Sequence, residues 1–175
     1  MAIVKLVSED LGNCCGMMKI GKNATVGGCS ATAIGVGASA LSSSATAVGN
    51  SARADGGTST AVGADARASG NNDTAIGPGA RACSGNNTAI GFSAEATGSA
   101  TAIGAGAYAE SRSTAIGGRA HAHGCGNLVL QSFEPCSSSP AKSRIKICGD
   151  SISFRINNVC KKMTGSQFFA ALGLS

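Results

Sequence analysis

The chain lacks most of the large side chains from which an ordinary hydrophobic core is made. Its 175 residues include no Trp and one Tyr, and aromatic residues account for only 3% of the sequence. Charged residues make up 13%, and no apolar run approaches the roughly 18 residues that a membrane-spanning helix needs. The composition therefore argues against an ordinary globular core and against membrane insertion, and the fold has to depend on repetition.

A short repeat organises about half of the chain. The motif Thr-Ala-(Ile/Val)-Gly occurs seven times between Thr32 and Gly117, at intervals of 13 or 14 residues. This period is too short for a helical repeat, which needs roughly 33 residues, but it fits one coil of a stacked β-solenoid. Gly21, one period upstream, indicates an eighth, degenerate first coil. The motif glycines are Gly35, Gly49, Gly63, Gly77, Gly91, Gly104 and Gly117.

Each coil is predicted to contain two short strands, because side chains alternate between the two faces of a strand. The second strand has the pattern Ala-x-Ala, and its middle residue varies from Arg53 to Tyr108 to His121, so the alanines should point inward and the middle residue outward. In the first strand we expect the Ile or Val to join these two alanines inside, with the Thr on the same side. The β-branched column consists of Ile34, Val48, Val62, Ile76, Ile90, Ile103 and Ile116.

Such a core is thin. One Ile or Val and two Ala per coil bury little apolar area, which at about 25 cal/mol per Å² hardly offsets the entropy of ordering the coil. Eight coils stacked at about 4.8 Å would form a rod roughly 40 Å long. We therefore expect several identical chains to associate along their length, through a second face formed by the small Ala that precedes each Ile or Val.

Residues 18–124 resemble the YadA-like head repeats of trimeric autotransporter adhesins, on the strength of the seven motif copies and the Ala-x-Ala strand that follows each. The resemblance implies an all-β fold, a left-handed parallel β-roll, in which three chains wind about one axis as an adhesive or structural rod. It implies neither catalysis nor a cofactor. Two features depart from it: Glu9 and Asp10 interrupt any N-terminal secretory signal, and no neck, coiled coil or membrane barrel is present.

Eight cysteines without a visible signal peptide indicate reduced thiols in a cytoplasm. The sequence therefore favours a structural or attachment rod of a virus particle, assembled in the host cytoplasm, with itself, a capsid, baseplate or other virion protein, and a host receptor as partners. Two alternatives stay open. One is the head of a bacterial surface adhesin; the other is an ice-binding solenoid that displays the Thr column beginning at Thr32 and ending at Thr114.

The ends of the chain differ from the repeat. We predict an N-terminal lead-in at 1–17 with a strand at 2–7, the roll at 18–124, and a β-rich cap or docking module at 125–175, with strands near 128–130, 144–148 and 151–156 and a short helix at 167–172. Residues 134–175 carry six basic residues against two acids. Because these lie in strand-like alternations, docking is preferred to nucleic-acid binding. The candidate docking residues are Lys142, Arg144, Lys146, Arg155, Phe168 and Phe169.

Few side chains suggest chemistry. His121, His123 and Cys125 alternate along one strand and could meet their symmetry mates as metal ligands. Because His121 lies in the outward variable column, solvated side chains are the preferred interpretation and no metal is predicted. No Ser, His and Asp are spaced as a catalytic triad, so the sequence predicts neither an enzyme nor a cofactor.

Overall fold

The repeat folds into two short strands per coil, and eight coils stack in parallel to form a β-solenoid, as the sequence predicts. The structure, a computed structural model, describes residues 16–124, 126–133, 142–148, 151–156 and 159–171. The predicted strand at 2–7 lies outside these residues. Among the described residues, no helix is both long and apolar enough to cross a membrane.

The strands are very short in the repeats and longer after them. In chain order the elements are β1 (Met18–Ile20), β2 (Thr25–Val26), β3 (Thr32–Ile34), β4 (Ser39–Ala40), β5 (Thr46–Val48), β6 (Arg53–Ala54), β7 (Thr60–Val62), β8 (Arg67–Ala68), β9 (Thr74–Ile76), β10 (Arg81–Cys83), β11 (Thr88–Ile90), β12 (Glu95–Thr97), β13 (Thr101–Ile103), β14 (Tyr108–Glu110), β15 (Thr114–Ile116), β16 (His121–Ala122), β17 (Leu128–Phe133), β18 (Lys142–Cys148), β19 (Ser151–Ile156), β20 (Val159–Thr164) and α1 (Gly165–Ala171).

Two sheets form the walls of the solenoid. Sheet A contains the odd-numbered strands from β1 to β17, followed by β18, β19 and β20, whereas sheet B contains the even-numbered strands from β2 to β16. Within the repeats all pairs are parallel and in register, so that each motif residue lies beside its equivalent in the next coil; Ile76, for example, pairs with Val62 and Ile90. The chain after β17 pairs antiparallel instead.

The interior consists almost entirely of alanine. Among the described residues, every buried hydrophobic residue is Ala except Val129, and both alanines of each Ala-x-Ala strand are buried as predicted. The first strand faces the opposite way from the prediction: Ala75, between Thr74 and Ile76, is fully buried, whereas Ile76 is 38% exposed. We expected the Ala before each Ile or Val to form an outer face for association, and this expectation is wrong because that Ala lies inside. A coil of 13 or 14 residues encloses a space that fits methyl groups, so the β-branched side chains lie outside.

The position before each motif Thr is also buried and is often polar. Ser59, Asp73, Asn87 and Ser113 occupy it, and Asn127 holds the equivalent position before β17; each is at most 5% exposed. Asp73 accepts hydrogen bonds from the backbone N–H of Gly70 at 2.7 Å and of Asn87 at 2.9 Å. Buried polar groups need hydrogen-bond partners, and the carboxylate of Asp73 finds them in backbone N–H groups of the loops that precede β9 and β11. The repeat pattern alone did not reveal this row of residues.

The motif glycine permits the coils to stack closely. Gly91 has a φ of +131°, which L side chains rarely adopt, and a Cβ placed on it would lie 2.6 Å from the carbonyl carbon of Gly104 in the next coil. A side chain there would have to displace backbone rather than a flexible neighbour. Glycine is therefore required at this corner by both the conformation and the space.

The segment after the repeats extends sheet A. Strands β17, β18 and β19 and helix α1 agree with the predicted elements to within a few residues, and β20 is an additional strand. In β17, Val129 points into the solenoid and Leu130, which pairs with Ile116, lies 37% exposed. Leu130 in turn pairs with Ile145, and Ile145 with Phe154. The register of the outward apolar column thus continues into the antiparallel strands.

Candidate interaction surfaces

The outer face of sheet A is a regular surface that extends along the stacked coils. It carries two columns of side chains in register: the motif Thr residues, which are half-buried, and the motif Ile and Val residues, which are half-buried or exposed. Ile76 and Ile116 are 38% and 39% exposed, and Ile145 is 38% exposed. Continuous apolar surface of this kind is uncommon on isolated soluble proteins and marks an interaction site. We call it the apolar face.

The apolar column runs through almost the whole sheet. Strand pairing places its members side by side from β1 to β19: Ile20, Ile34, Val48, Val62, Ile76, Ile90, Ile103, Ile116, Leu130, Ile145 and Phe154. The Ile and Val residues that were predicted to fill the core thus lie on this surface instead. Strand parity alone could not have assigned them, because both faces of Thr-Ala-Ile contain an apolar residue.

The outer face of sheet B is polar and irregular. Arg53, Arg67 and Arg81 pair in register along three successive coils and are exposed, as the sequence predicts for the variable column. Arg53 forms an ion pair with Asp55 at 3.1 Å, and their side chains are 46% and 25% exposed. An exposed pair of this kind contributes little to stability.

Four side chains meet on the outer face of sheet B where the repeats end. Tyr108 on β14 pairs in register with His121 on β16, and their rings stack with centroids 5.8 Å apart. The ring of His123 lies 5.1 Å from that of Tyr108 and 5.8 Å from that of His121. The fourth member is Glu110. We call these residues the histidine cluster; sequence reasoning found its histidines but missed Tyr108 and Glu110, one coil earlier in the same columns.

Glu110 connects the histidine cluster through both carboxylate oxygens. The hydroxyl of Tyr108 donates to Oε2 at 2.8 Å, and Nδ1 of His123 lies 3.3 Å from Oε1. These two hydrogen bonds hold the pKa of Glu110 below its usual range, and the bond from Tyr108 has the larger effect. The bond to Glu110 is also the main cause of a raised pKa for Tyr108, with smaller contributions from burial and from the charges of Glu110 and Glu95.

The three residues considered as metal ligands, for which the sequence predicted no metal, are only partly brought together. His121 and His123 lie on one exposed face, and Cys125 is outside the described residues. In the described part of the chain, no three His, Cys, Asp or Glu side chains are grouped so that they could enclose a metal ion. Of the other cysteines, Cys29 is disulfide-bonded, whereas Cys83 and Cys148 are free. The expectation of reduced thiols is therefore wrong for Cys29.

The candidate docking residues lie on the C-terminal strands and helix. Lys142, Arg144 and Lys146 alternate along β18, and Arg144 pairs with Arg155 on β19. Arg144 and Lys146 are half-buried. Phe168 and Phe169 lie in α1. Their use as a docking surface stays a prediction.

Comparison with known proteins identifies the repeat. Residues 54–80 match the YadA head domain repeat in two copies, and the matched segment includes the Thr-Ala-Val-Gly motif that ends at Gly63. No curated protein matches the chain. The matched coils have the same strands and register as the coils on either side. The β-solenoid of this chain is therefore built from YadA-like head repeats.

Proposed function

We propose that the chain is the non-enzymatic head segment of a trimeric adhesin on a bacterial cell surface. The observation that carries the proposal is the apolar face of sheet A, which one chain alone leaves in contact with water, on a solenoid built from YadA-like head repeats. Such repeats are structural units, and a rigid rod that holds a binding surface away from a membrane suits attachment rather than catalysis.

The energetics favour association through the apolar face. A fully buried Ile or Val side chain contributes about 1.5–3 kcal/mol, so covering the remaining exposed part contributes roughly 1 kcal/mol per residue. The coils from β1 to β15 supply eight such residues to the column, which gives roughly 8 kcal/mol per chain. This value is comparable to the whole net stability of many domains. The alanine interior of one chain buries less apolar area per coil and so contributes less free energy.

Three chains suit this surface better than two. Each solenoid has one apolar wall in sheet A and one polar wall in sheet B, so three copies can turn their apolar walls toward a common axis and leave the polar walls in solvent. The likeness to YadA head repeats supports the number three. Sheet B, with its variable outward column, would then be the surface that meets host molecules.

A cell-surface location is preferred to a virus particle. Assembly of a virus particle in the cytoplasm was inferred from reduced cysteines, whereas Cys29 is disulfide-bonded. Disulfides persist in oxidising surroundings such as the cell exterior. The YadA-like repeats favour the same location, whereas none of the observations supports a capsid or baseplate partner.

Immunogold labelling of intact source cells, with an antibody against the purified protein, would test the proposal. We expect gold particles on the outer surface, and loss of the label after brief treatment of the intact cells with a protease. An antibody against an abundant cytoplasmic protein serves as the control for cell integrity. Label confined to purified virus particles or to the cytoplasm would overturn the proposal.

A further inference from the structure

The histidine cluster contains the chain's single tyrosine and both of its histidines. In the earlier Ala-x-Ala strands the outward middle residue is Ser39, Arg53, Arg67, Arg81 or Glu95, so the rings are concentrated in the last two coils of this column. His121 and His123 are exposed and lie two positions apart, so both project from the same side of sheet B. Two imidazoles side by side on a strand can bind one metal ion, because neutral imidazole is a common metal ligand.

The separation of the two histidine rings fits chelation. Their centroids are 5.8 Å apart, with the ring planes inclined by 36°. Two imidazoles that share a zinc ion at bond lengths of about 2.0–2.1 Å have centroids roughly 5–6 Å apart. The lone pair of an imidazole nitrogen lies in the ring plane, and both histidine side chains are exposed. A metal ion could therefore reach both rings with small rotations of the side chains.

Glu110 orients one of the two histidines. Its Oε1 lies 3.3 Å from Nδ1 of His123, which makes Nδ1 the protonated nitrogen and leaves the lone pair on Nε2, at the far side of the ring. Metal-binding histidines commonly donate their second N–H to a carboxylate in this way, which fixes the tautomer and the ring orientation. Tyr108 holds the other carboxylate oxygen at 2.8 Å.

Carboxylates lie beside the cluster. Glu95 pairs in register with Tyr108, and its charge acts on that hydroxyl, while its other neighbour in the sheet is Arg81. With no third enclosing ligand in the described part of the chain, water would complete the coordination sphere. Open positions of this kind leave room for a ligand atom from a second molecule.

We propose that His121 and His123 form an open, two-histidine site for zinc or a similar imidazole-binding divalent metal, with Glu110 as the positioning residue of His123. The site differs from the arrangement considered from the sequence, in which His121, His123 and Cys125 would meet their symmetry mates. It lies instead on the polar outer wall of each chain. It does not depend on the proposed adhesin function.

Zinc titration of the full chain by calorimetry tests the site. We expect one zinc ion per chain, and at least a tenfold loss of zinc affinity in His121→Ala and in His123→Ala. Glu110→Gln should lose roughly tenfold, as is usual when a carboxylate that accepts the second N–H of a metal-binding histidine is removed. Arg67→Ala, on the same wall but not beside Glu95, is the matched control, and Cys83→Ser removes a thiol of that wall; both should bind as the wild type does. Because the histidines are exposed, far-UV circular dichroism should show all variants folded.

Nuclear magnetic resonance gives a second readout, because the two histidines are the only imidazoles in the chain. Zinc should shift the Nε2 resonance of His123 and a nitrogen resonance of His121 at the same metal concentration. Equal zinc affinity in the wild type and in the double variant H121A/H123A would overturn the site, as would imidazole resonances that do not move with zinc. An unchanged affinity in Glu110→Gln would overturn the positioning role of Glu110.

Discussion

The methyl group of alanine sets the width of the solenoid. Ala80 and Ala82 flank Arg81 in β10, and both are fully buried, whereas Arg81 is exposed. Opposite them, across the interior, lie the central alanines of sheet A, such as Ala75 and Ala89. Any larger side chain at these sites has to push the two sheets apart, because the interior is already filled by backbone and methyl groups.

Ala80→Leu should therefore destabilise the protein by about 1–3 kcal/mol per chain through overpacking. Arg81→Leu, at the next position, should leave the stability almost unchanged because its side chain lies in solvent. Thermal or denaturant unfolding of the two variants measures the difference. Equal shifts would show that the inward and outward assignment of β10 is wrong.

The titration of Tyr108 reports on the histidine cluster. Its hydroxyl donates to Glu110, and deprotonation would place a phenolate beside that carboxylate, so its pKa is raised above the ordinary 10.0. A raised pKa means that the bond stabilises the fold below pH 10.0 and is lost as the pH rises through the higher value. Because the chain has one Tyr and no Trp, its ultraviolet absorbance gives this titration directly.

We expect the phenolate to appear with a midpoint above 10.0 in the wild type and closer to 10.0 in Glu110→Gln, in which the main cause of the shift is removed. Circular dichroism at each pH confirms that the chain is still folded. A wild-type midpoint at or below 10.0 would contradict the Tyr108–Glu110 hydrogen bond.

At the level of the elements, buried polar side chains hold neighbouring coils together. Asn87 spans three coils: its Nδ2 donates to Oδ1 of Asp73 at 3.0 Å, and its Oδ1 accepts the backbone N–H of Ala100 at 2.9 Å. The same Nδ2 lies 2.7 Å from the carbonyl oxygen of Cys83. This network lies where the repeat spacing changes from 14 to 13 residues, between Gly91 and Gly104.

Asn87→Ala should cost about 1–3 kcal/mol, because it leaves a buried backbone N–H and part of the Asp73 carboxylate without partners. Asn50→Ala is the matched control, since the side chain of Asn50 is exposed and accepts a hydrogen bond from the hydroxyl of the neighbouring Ser51 at 3.1 Å. Chemical denaturation of both variants measures the two effects. A loss no greater than that of Asn50→Ala would mean that the network contributes nothing.

The sequence predicts some of these elements better than others, for physical reasons. The Ala-x-Ala strand could be oriented because its middle residue changes from Arg81 to Glu95 to Tyr108, and only solvent tolerates such variety. The Thr-Ala-Ile strand hardly varies between copies, so variability could not orient it. Because β-branched residues usually lie inside a protein, the sequence suggested the wrong orientation. The interior is too narrow for these side chains, so the central Ala lies inside instead. The buried polar residues that include Asp73 recur at one position of successive coils, and Glu110 lies one coil before His123, so the repeat spacing alone aligns them. Which of their atoms are in contact depends on the geometry of the coil, which the sequence does not give.

For the whole molecule, the apolar face is the surface through which we expect several chains to associate. The apolar residues of one column follow each other from β1 to β19, so the surface runs the length of the solenoid and into the antiparallel strands. One sheet thus connects repeats and C-terminal segment through the same surface. A single chain would leave this column in water, whereas a trimer would bury it.

Sedimentation of the wild type at micromolar concentration should give three times the chain mass of 16.9 kDa. Ile76→Glu places a carboxylate in the middle of the apolar face, where burial without a partner costs several kcal/mol. We expect this variant to sediment as a smaller species or to lose its fold. Ser69→Glu adds the same charge at an exposed position beside sheet B and should remain trimeric. A wild-type chain that sediments as a stable, folded monomer, or an Ile76→Glu variant that assembles as the wild type does, would show that the apolar face is not the trimer interface.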